Sequence, residues 1–473
     1  MQTATETERK YDVPAGFTLP TLVGAGGVID LGEAGVHDLD ATYFDTDDLR
    51  LARHKHTLRR RTGGTDAGWH LKTPGAGSSR TELRAPLTDG DEVPAELTGE
   101  VRTIVRMRPL GPVARLRTHR VETPLRDAEG RTLALVAQDE VGAETGGHEK
   151  RWQEIEVELV DGDERLLDEV ERLLLAAGAK PAAGPSKLAR ALGGRLRKRR
   201  GPKKPGPVLR YAAEQRDAIA EHDPAVRAGD PEAVHKMRVA TRRLRSTLKT
   251  FKGSFDPDRA GVLKIELKWL AGALGEVRDA QVLGAKLGQA ADEFPAAATE
   301  LRARLAGDEE RGRATLGEAL ASDRYLSLLD ELDTLVDEPD PEEADPVKRA
   351  RKVLRRADSL LDEATADGVD AELHEARKKY KQARYAAEVF APAAGKPGKR
   401  LIKRLTELQD VLGAHQDSVV AREVLRDAAG SAADAFPYGI LHARQERVGE
   451  VTLEGLSAAV AASRKRDLRS WLG

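Results

Sequence analysis

Residues 5–11 read Thr5-Glu6-Thr7-Glu8-Arg9-Lys10-Tyr11. Successive side chains of a β-strand point to opposite faces, so residues two apart share one face. As a strand, this segment lines up Glu6, Glu8 and Lys10 on one side. Two carboxylates and an ammonium in a row are costly to bury unless they hold a cation and an anion together. A divalent metal with a polyphosphate is the obvious pair. The same alternation also describes a solvated strand face, so its meaning depends on what the chain sets beside it.

A counterpart comes late in the first half. In Gln153-Glu154-Ile155-Glu156-Val157-Glu158-Leu159 the three glutamates share one face, and Ile155 and Val157 share the other. Between the two acidic segments lie short stretches with strand character, broken by turn residues such as Gly63-Gly64 and Gly146-Gly147. Strands are predicted over 3–11, 41–46, 56–62, 67–73, 80–87, 112–125, 131–141 and 150–160, with helices near 92–106 and 162–177. Eight strands suffice to close a small barrel whose interior and exterior side chains alternate. The acidic faces point the polar side inward, with helices covering an apolar outside. Basic residues alternate on the middle strands: Arg59 and Arg61, Lys72, and Arg80 beside Glu82. Arg115, Arg117 and Arg120 occupy a further strand whose inward face the pattern leaves open. Hard oxygen ligands suit Mg²⁺ or Mn²⁺, and Arg and Lys suit phosphate oxygens.

The bulk composition sets the frame. At 473 residues the chain exceeds one typical core, so two or three domains are expected. Charged residues make up 33% and aromatics 4%, with a net charge of −2. The chain has no cysteine, which excludes disulfides, thiolate zinc sites and cysteine nucleophiles. No apolar run approaches the roughly 20 residues of a membrane span, so a soluble cytoplasmic protein is expected, without a membrane partner.

Beyond Leu159 the character changes. Ser186 to Lys204 carries nine Lys or Arg and no acid, and a linker is expected over 201–208. The remainder, 209–473, reads as Ala/Leu/Arg/Glu-rich helices, divided again by an acidic stretch at Asp330 to Asp345. It contains an internal repeat, about 209–335 and 346–473. His235-Lys236-Met237-Arg238 recurs as His374-Glu375-Ala376-Arg377, 139 residues on. Leu274-Gly275-Glu276-Val277-Arg278-Asp279 recurs as Leu412-Gly413-Ala414-His415-Gln416-Asp417, 138 residues on. On a helix, His235, Arg238, Arg242, Arg245 and Lys249 form one stripe, and His374, Arg377, Lys381 and Arg384 form its twin. Stacked like charges repel, so a twice-repeated stripe points to an anionic partner. Asp279 and Asp417 are placed to hold the basic helices by ion pairs.

With these motifs in view, residues 1–200 resemble the CYTH domain, the triphosphate tunnel metalloenzyme family, marked by Glu-x-Glu-x-Lys on its first strand and Glu-x-Glu on its last. The resemblance implies an eight-stranded antiparallel tunnel. Within it Glu6, Glu8 and Lys10 are catalytic, and Glu6, Glu8, Glu82, Asp139, Glu154, Glu156 and Glu158 serve metals. Lys10, Arg59, Arg61, Lys72, Arg80, Arg117 and Lys187, the last in a family-like Ser186-Lys187, hold phosphates. The chain departs from the family pattern at Arg84, where a second Glu is usual, and at Gln138-Asp139, where an Asp pair is usual.

Residues from about 205 onward resemble the CHAD domain, named for conserved histidines in an α-helical fold. That resemblance implies two pseudo-symmetric four-helix bundles and a surface for inorganic polyphosphate. His235, Arg238, Arg242, Arg245, His374, Arg377, Lys381 and Arg384 are its candidate contacts. The fold class expected for the whole chain is therefore α+β multidomain. The expected function is Mg²⁺- or Mn²⁺-dependent hydrolysis of inorganic triphosphate or a related phosphoanhydride, joined to polyphosphate binding. Phosphate contacts carry no base information, and no aromatic platform for nucleic acid is evident. The alternatives are a non-catalytic polyphosphate binder and a nucleotide enzyme of adenylate cyclase or thiamine-triphosphatase type.

Overall fold

The computed structural model describes residues 2–74, 79–196, 205–337, 345–367 and 369–472, and the side chains of residues 2–6, 79 and 367 lie outside that description. The chain separates into two compact units, Met1–Arg199 and Arg200–Gly473. Residues 201–204 of the expected linker, and 338–344 of the acidic divide, lie outside the described residues.

Among its described residues the first unit holds ten strands: β1 (Gln2–Val13), β2 (Asp30–Leu31), β3 (Gly35–Asp45), β4 (Thr57–Thr62), β5 (Gly68–Pro74), β6 (Ser79–Ala85), β7 (Gly111–Arg126), β8 (Thr132–Thr145), β9 (His148–Leu159) and β10 (Lys180–Pro181). Eight of them run β1-β6-β5-β4-β3-β7-β8-β9, all antiparallel, and β9 pairs back onto β1 to close the barrel. The two extra strands, β2 and β10, are two-residue edges that the sequence pattern is too short to reveal. Closure aligns the two acidic segments in register, with Glu8 opposite Glu158 and Lys10 opposite Glu156.

Among the described residues, four α-helices belong to this unit: α1 (Arg50–Arg53), α2 (Ala95–Val105), α3 (Glu164–Ala176) and α4 (Lys187–Leu192). Ile155 and Val157, the apolar face of β9, pack with Tyr11 and Val136 under Leu166, Val170 and Leu174 of α3. Phe44, Leu58, Trp69 and Leu71 pack under Leu97 and Val101 of α2. Each leucine or valine so buried contributes roughly 1.5–3 kcal/mol, which lets the opposite, polar faces turn inward. Helix α4, capped by Ser186 Oγ accepting from the Ala189 N–H at 3.1 Å, packs Leu188, Ala191 and Leu192 against Tyr43, Leu116 and Val141.

The second unit is all helical: α5 (Pro207–Arg227), α6 (Pro231–Thr250), α7 (Pro257–Ala290), α8 (Pro295–Ala321), α9 (Asp323–Asp337), α10 (Pro346–Asp367), α11 (Asp370–Glu388), α12 (Ala391–Ala429), α13 (Phe436–Glu454), α14 (Leu456–Ser463) and α15 (Arg466–Arg469). Asp230-Pro231 and Asp256-Pro257 start α6 and α7 alike, with the aspartate capping and proline in the first turn. The duplicated motifs fall on corresponding helices, α6 with α11 and α7 with α12. Both repeats feed one core that joins Met237, Leu244 and Leu274 of the first to Leu373, Tyr380 and Leu412 of the second. No helix among the described residues is long and apolar enough to cross a membrane.

Candidate functional site

The barrel encloses a cavity of about 250 Å³ whose walls carry charge from every side. On the β1/β9 wall, the Lys10 ammonium donates to Glu8 Oε2 at 2.8 Å and to Glu156. Burial works against the Lys10 cation, but Glu156 and Glu8 outweigh it and raise its pKa. Burial likewise pushes the Glu156 carboxyl up, yet Lys10, Lys187 and Arg120 hold it well below the ordinary carboxylate range. Glu158 lines the same cavity. Glu6 pairs with Arg80 in the strand register, and its side chain lies outside the described set.

Behind this wall, Asp139, Glu154 and Glu156 each bring a carboxylate oxygen to within 4.8 Å of the others, a cluster that could hold a metal ion. Cross-strand register assembles it, with Asp139 facing Glu154 and Arg120 facing Asp139. Arg120 donates to both Asp139 oxygens, at 2.8 and 2.7 Å, and to Glu156 Oε2 at 2.7 Å. Lys187 Nζ lies 2.8 Å from Asp139, 2.8 Å from Glu154 and 2.7 Å from Glu156. Hard oxygen donors at this spacing fit Mg²⁺ or Mn²⁺, although here the ammonium of Lys187 already meets all three.

The adjoining wall, β6-β5-β4, is organised around Glu82, whose side chain is 1% exposed. It accepts from His70 Nδ1 at 3.0 Å and from Arg84 Nε, with Lys72 at 3.7 Å and Arg59 at 3.9 Å. Burial raises the Glu82 carboxyl, but the His70 hydrogen bond and the Lys72 and Arg59 charges outweigh it and lower its pKa. Among the described residues the partners of Glu82, a metal ligand by the family resemblance, are these cations. Arg84, the departure from the family pattern, is one of its partners. Arg61 pairs with Asp66, and burial with the nearby Arg59 and Arg120 pulls its pKa down to about 9. Arg80 donates to the Pro185 carbonyl just before α4. Arg59, Arg61, Lys72, Arg80 and Arg84 all line the cavity.

Arg117 corrects the expectation. It lies on the outer face of β7, 59% exposed, donating to Glu144 Oε1 at 3.0 Å. Arg115 shares that face and donates to both oxygens of Asp40. The inward residues of β7 are Leu116, Thr118, Arg120 and Glu122. Arg120 is therefore the arginine that this strand turns toward the cavity. His70, Arg84 and Arg120 are the site residues the sequence reading left out or left undecided. For His70 a signal existed, since it stands two residues from Lys72 on the same face.

In the helical unit the two stripes meet where α6 packs on α11. Arg242 and Arg238 act on Arg377 and Lys381 across this contact. Burial, then Arg242, Arg377 and Arg238, pull the Lys381 pKa down to about 7. Burial and Arg278 push His235 down as well. Arg238 Nε, Arg377 Nε and His374 Nδ1 are buried without a hydrogen-bond partner among the described residues. Arg238 pairs with Asp279 at 3.0 Å. Arg384 breaks the symmetry: it donates to Glu388 Oε1 at 3.0 Å and to Gln409 at 3.1 Å. Arg245 feels burial and Arg242, which lower its pKa.

A CYTH domain model matches residues 4–191 and a CHAD domain model matches residues 210–426. Members of the CYTH family are typically metal-dependent enzymes that act on phosphoanhydrides. Two uncharacterized proteins of Mycobacterium tuberculosis, from strains CDC 1551 / Oshkosh and ATCC 25618 / H37Rv, are each 41% identical over 501 residues, covering 96% of this chain and 95% of the relative. Among solved structures, PptA from Streptomyces chartreusis is 22% identical, covering 54% of this chain and 99% of that one, with a TM-score of 0.46. The CHAD domain from the plant Ricinus communis is 29% identical over 54% of this chain and 89% of its own, with a TM-score of 0.42. A putative adenylate cyclase from Bacillus halodurans is 20% identical over 40% of this chain and 98% of its own, with a TM-score of 0.30. With domain models matched in this order and 41% identity along 96% of its length, the chain belongs to the family that joins a CYTH domain to a following CHAD domain.

Proposed function

We propose that the barrel hydrolyses inorganic triphosphate or a closely related phosphoanhydride in a metal-dependent reaction, and that the helical unit binds inorganic polyphosphate in the cytoplasm. The observation that carries the first half is the composition of the cavity. Lys10, Arg59, Arg61, Lys72, Arg80, Arg84 and Arg120 converge on it from five strands, while Glu8, Glu156 and Glu158 line one side. At about 250 Å³ it falls below the roughly 300–1,000 Å³ of pockets for drug-sized ligands, which favours a compact anion over a nucleotide. Among the described residues Tyr43 is the one phenyl ring on its lining, and Arg59 already donates to its hydroxyl at 3.5 Å, so these residues offer no free base-stacking platform.

Glu8, Glu158 and the Asp139–Glu154–Glu156 cluster would hold Mg²⁺ or Mn²⁺, which when bound neutralises phosphate charge and makes water a better nucleophile. The chain's own cations orient the phosphates for in-line attack and take up charge as the anhydride bond breaks. For the helical unit, the support is the pair of facing stripes with Lys381, Arg238 and Arg377 held against their own repulsion.

The test is phosphate release from inorganic triphosphate with Mg²⁺ or Mn²⁺. We expect turnover in the wild type and a loss of about 10²-fold or more in Glu156→Gln, typical for removing a pre-placed charged group. No release with either metal from pH 5 to 10, or full activity in Glu156→Gln, defeats the proposal. A second reading, binding without turnover, is favoured by the ammonium of Lys187 standing in the acidic cluster. Calorimetric binding of triphosphate with no release would select it.

A further inference from the structure

The position of Lys187 has a consequence for how metal enters the barrel. Three carboxylates whose ligand oxygens lie within 4.8 Å of one another make a site that a hard cation fills readily. Lys187 Nζ contacts one oxygen of each, at 2.7 to 2.8 Å. A compact ammonium touching three carboxylates stands where an ion would stand. Arg120 reaches two of the three, donating through its planar fork to both Asp139 oxygens at 2.8 and 2.7 Å and to Glu156 Oε2 at 2.7 Å, but not Glu154.

The backbone beneath Lys187 is anchored, while its side chain has rotatable bonds of its own. Helix α4 is anchored by Leu188, Ala191 and Leu192 in an apolar cluster and by its Ser186 cap. The lysine stem carries rotatable bonds, and Lys187 also lines the cavity that holds Lys10, Arg59 and Arg120. Its ammonium can therefore exchange the triad for an anion in the cavity without moving the helix. A dication arriving while the ammonium remains would face direct repulsion from it.

We propose that Lys187 is the resident cation of the Asp139–Glu154–Glu156 triad and keeps divalent metal out of it until a phosphate chain in the cavity offers the ammonium another partner. Metal at the triad and phosphate in the cavity then bind as a coupled pair. This rests on reading the barrel as a metal and phosphate site.

The experiment is Mn²⁺ binding to the full chain without any phosphate, followed by electron paramagnetic resonance of free Mn²⁺ and by calorimetry. Lys187→Met is expected to load one more Mn²⁺ per chain than the wild type, or to bind it about tenfold more tightly or better. Adding Glu154→Gln to Lys187→Met should remove the gain and so locate the ion. Equal stoichiometry and affinity in wild type and Lys187→Met overturn the proposal. If Lys187→Met does not fold, Lys187→Gln keeps a hydrogen-bond donor at the triad, removes the charge and carries the same expectation. The outcomes are separable from those of the proposed reaction. A wild type that never releases phosphate leaves a Mn²⁺ difference standing, and equal Mn²⁺ loading leaves hydrolysis standing.

Discussion

The guanidinium of Arg238 lies against the backbone of Gly275: a Cβ placed on that glycine would stand 3.6 Å from Arg238 Nη2 and 3.9 Å from Asp279 Oδ2. The second repeat has the same arrangement, with Arg377 Nη2 3.4 Å from the corresponding point on Gly413. His-x-x-Arg and Leu-Gly-x-x-x-Asp are therefore neighbours in both repeats. The arginine lies at ordinary contact distance over the glycine, and in the first repeat Asp279, one turn on, pairs with it at 3.0 Å. Opposite effects follow for the two partners. Arg238→Ala should weaken polyphosphate binding by about tenfold, the scale of one charge-assisted hydrogen bond. Asp279→Ala frees Arg238 and should strengthen binding and steepen its salt dependence. Because Asp279 is largely exposed, the second change should leave the melting temperature nearly unchanged. Titration calorimetry at two salt concentrations, with thermal melts, checks both.

Much of this was legible in the sequence because two periods dominate it. Alternation located the eight barrel strands, and the parity of Glu8 and Lys10 with Glu154, Glu156 and Glu158 identified the inward faces of β1 and β9. Parity failed on β7. Its Arg115, Arg117 and His119 face outward while Leu116, Thr118 and Arg120 face inward, so neither face is plainly apolar and the pattern has no sign. The Ser186-Lys187 pair points to a phosphate ligand at Lys187. Its meeting with Asp139, Glu154 and Glu156 depends on a helix returning to the barrel after closure, which no local spacing encodes. His70 and Lys72 reach Glu82 from β5, and Gln409 reaches Arg384 from α12, contacts of the same non-local kind.

Lys381 gives the helical unit a pH dependence of definite sign. Free of anion, its pKa is pulled down to about 7 from the ordinary 10.5, so it loses its proton as pH rises through about 7. A bound polyanion restores the cation and moves that loss upward. Between these values binding takes up a proton, and affinity falls with rising pH by up to about tenfold per unit for one coupled proton. Calorimetry at pH 8 in buffers of different ionisation enthalpy should report uptake approaching one proton. Lys381→Arg, always charged, should bind without that uptake.

Glu82 predicts the acid behaviour of the barrel. Its folded pKa lies below the ordinary 4.5. Its stabilising contribution is therefore complete above that ordinary value and is lost as pH falls through the folded one. Glu82→Gln removes the charge that His70, Lys72, Arg59 and Arg84 share, at a cost of roughly 3 kcal/mol, as for breaking a buried pair. In chemical denaturation from pH 7 to 3, the variant should be the less stable protein near neutrality and should show a shallower decline on acidification. Parallel curves would contradict this role.

Arg117 and Arg120, three residues apart on β7, should behave oppositely. Arg117 is 59% exposed and its pairs with Glu144 and Asp40 lie in solvent, so Arg117→Ala should shift stability by less than about 1 kcal/mol and leave phosphate release within about twofold. Arg120 is the counterion of Asp139, whose side chain is fully buried, and of Glu156. Arg120→Ala strands both carboxylates and should cost roughly 3–5 kcal/mol along with turnover. Arg120→Lys should recover part of the stability and less of the activity, because a single ammonium cannot reproduce the two parallel donors on Asp139. Thermal melts and phosphate-release rates on the three variants decide it, and a loss of activity in Arg117→Ala equal to that in Arg120→Ala would refute the inward assignment of Arg120.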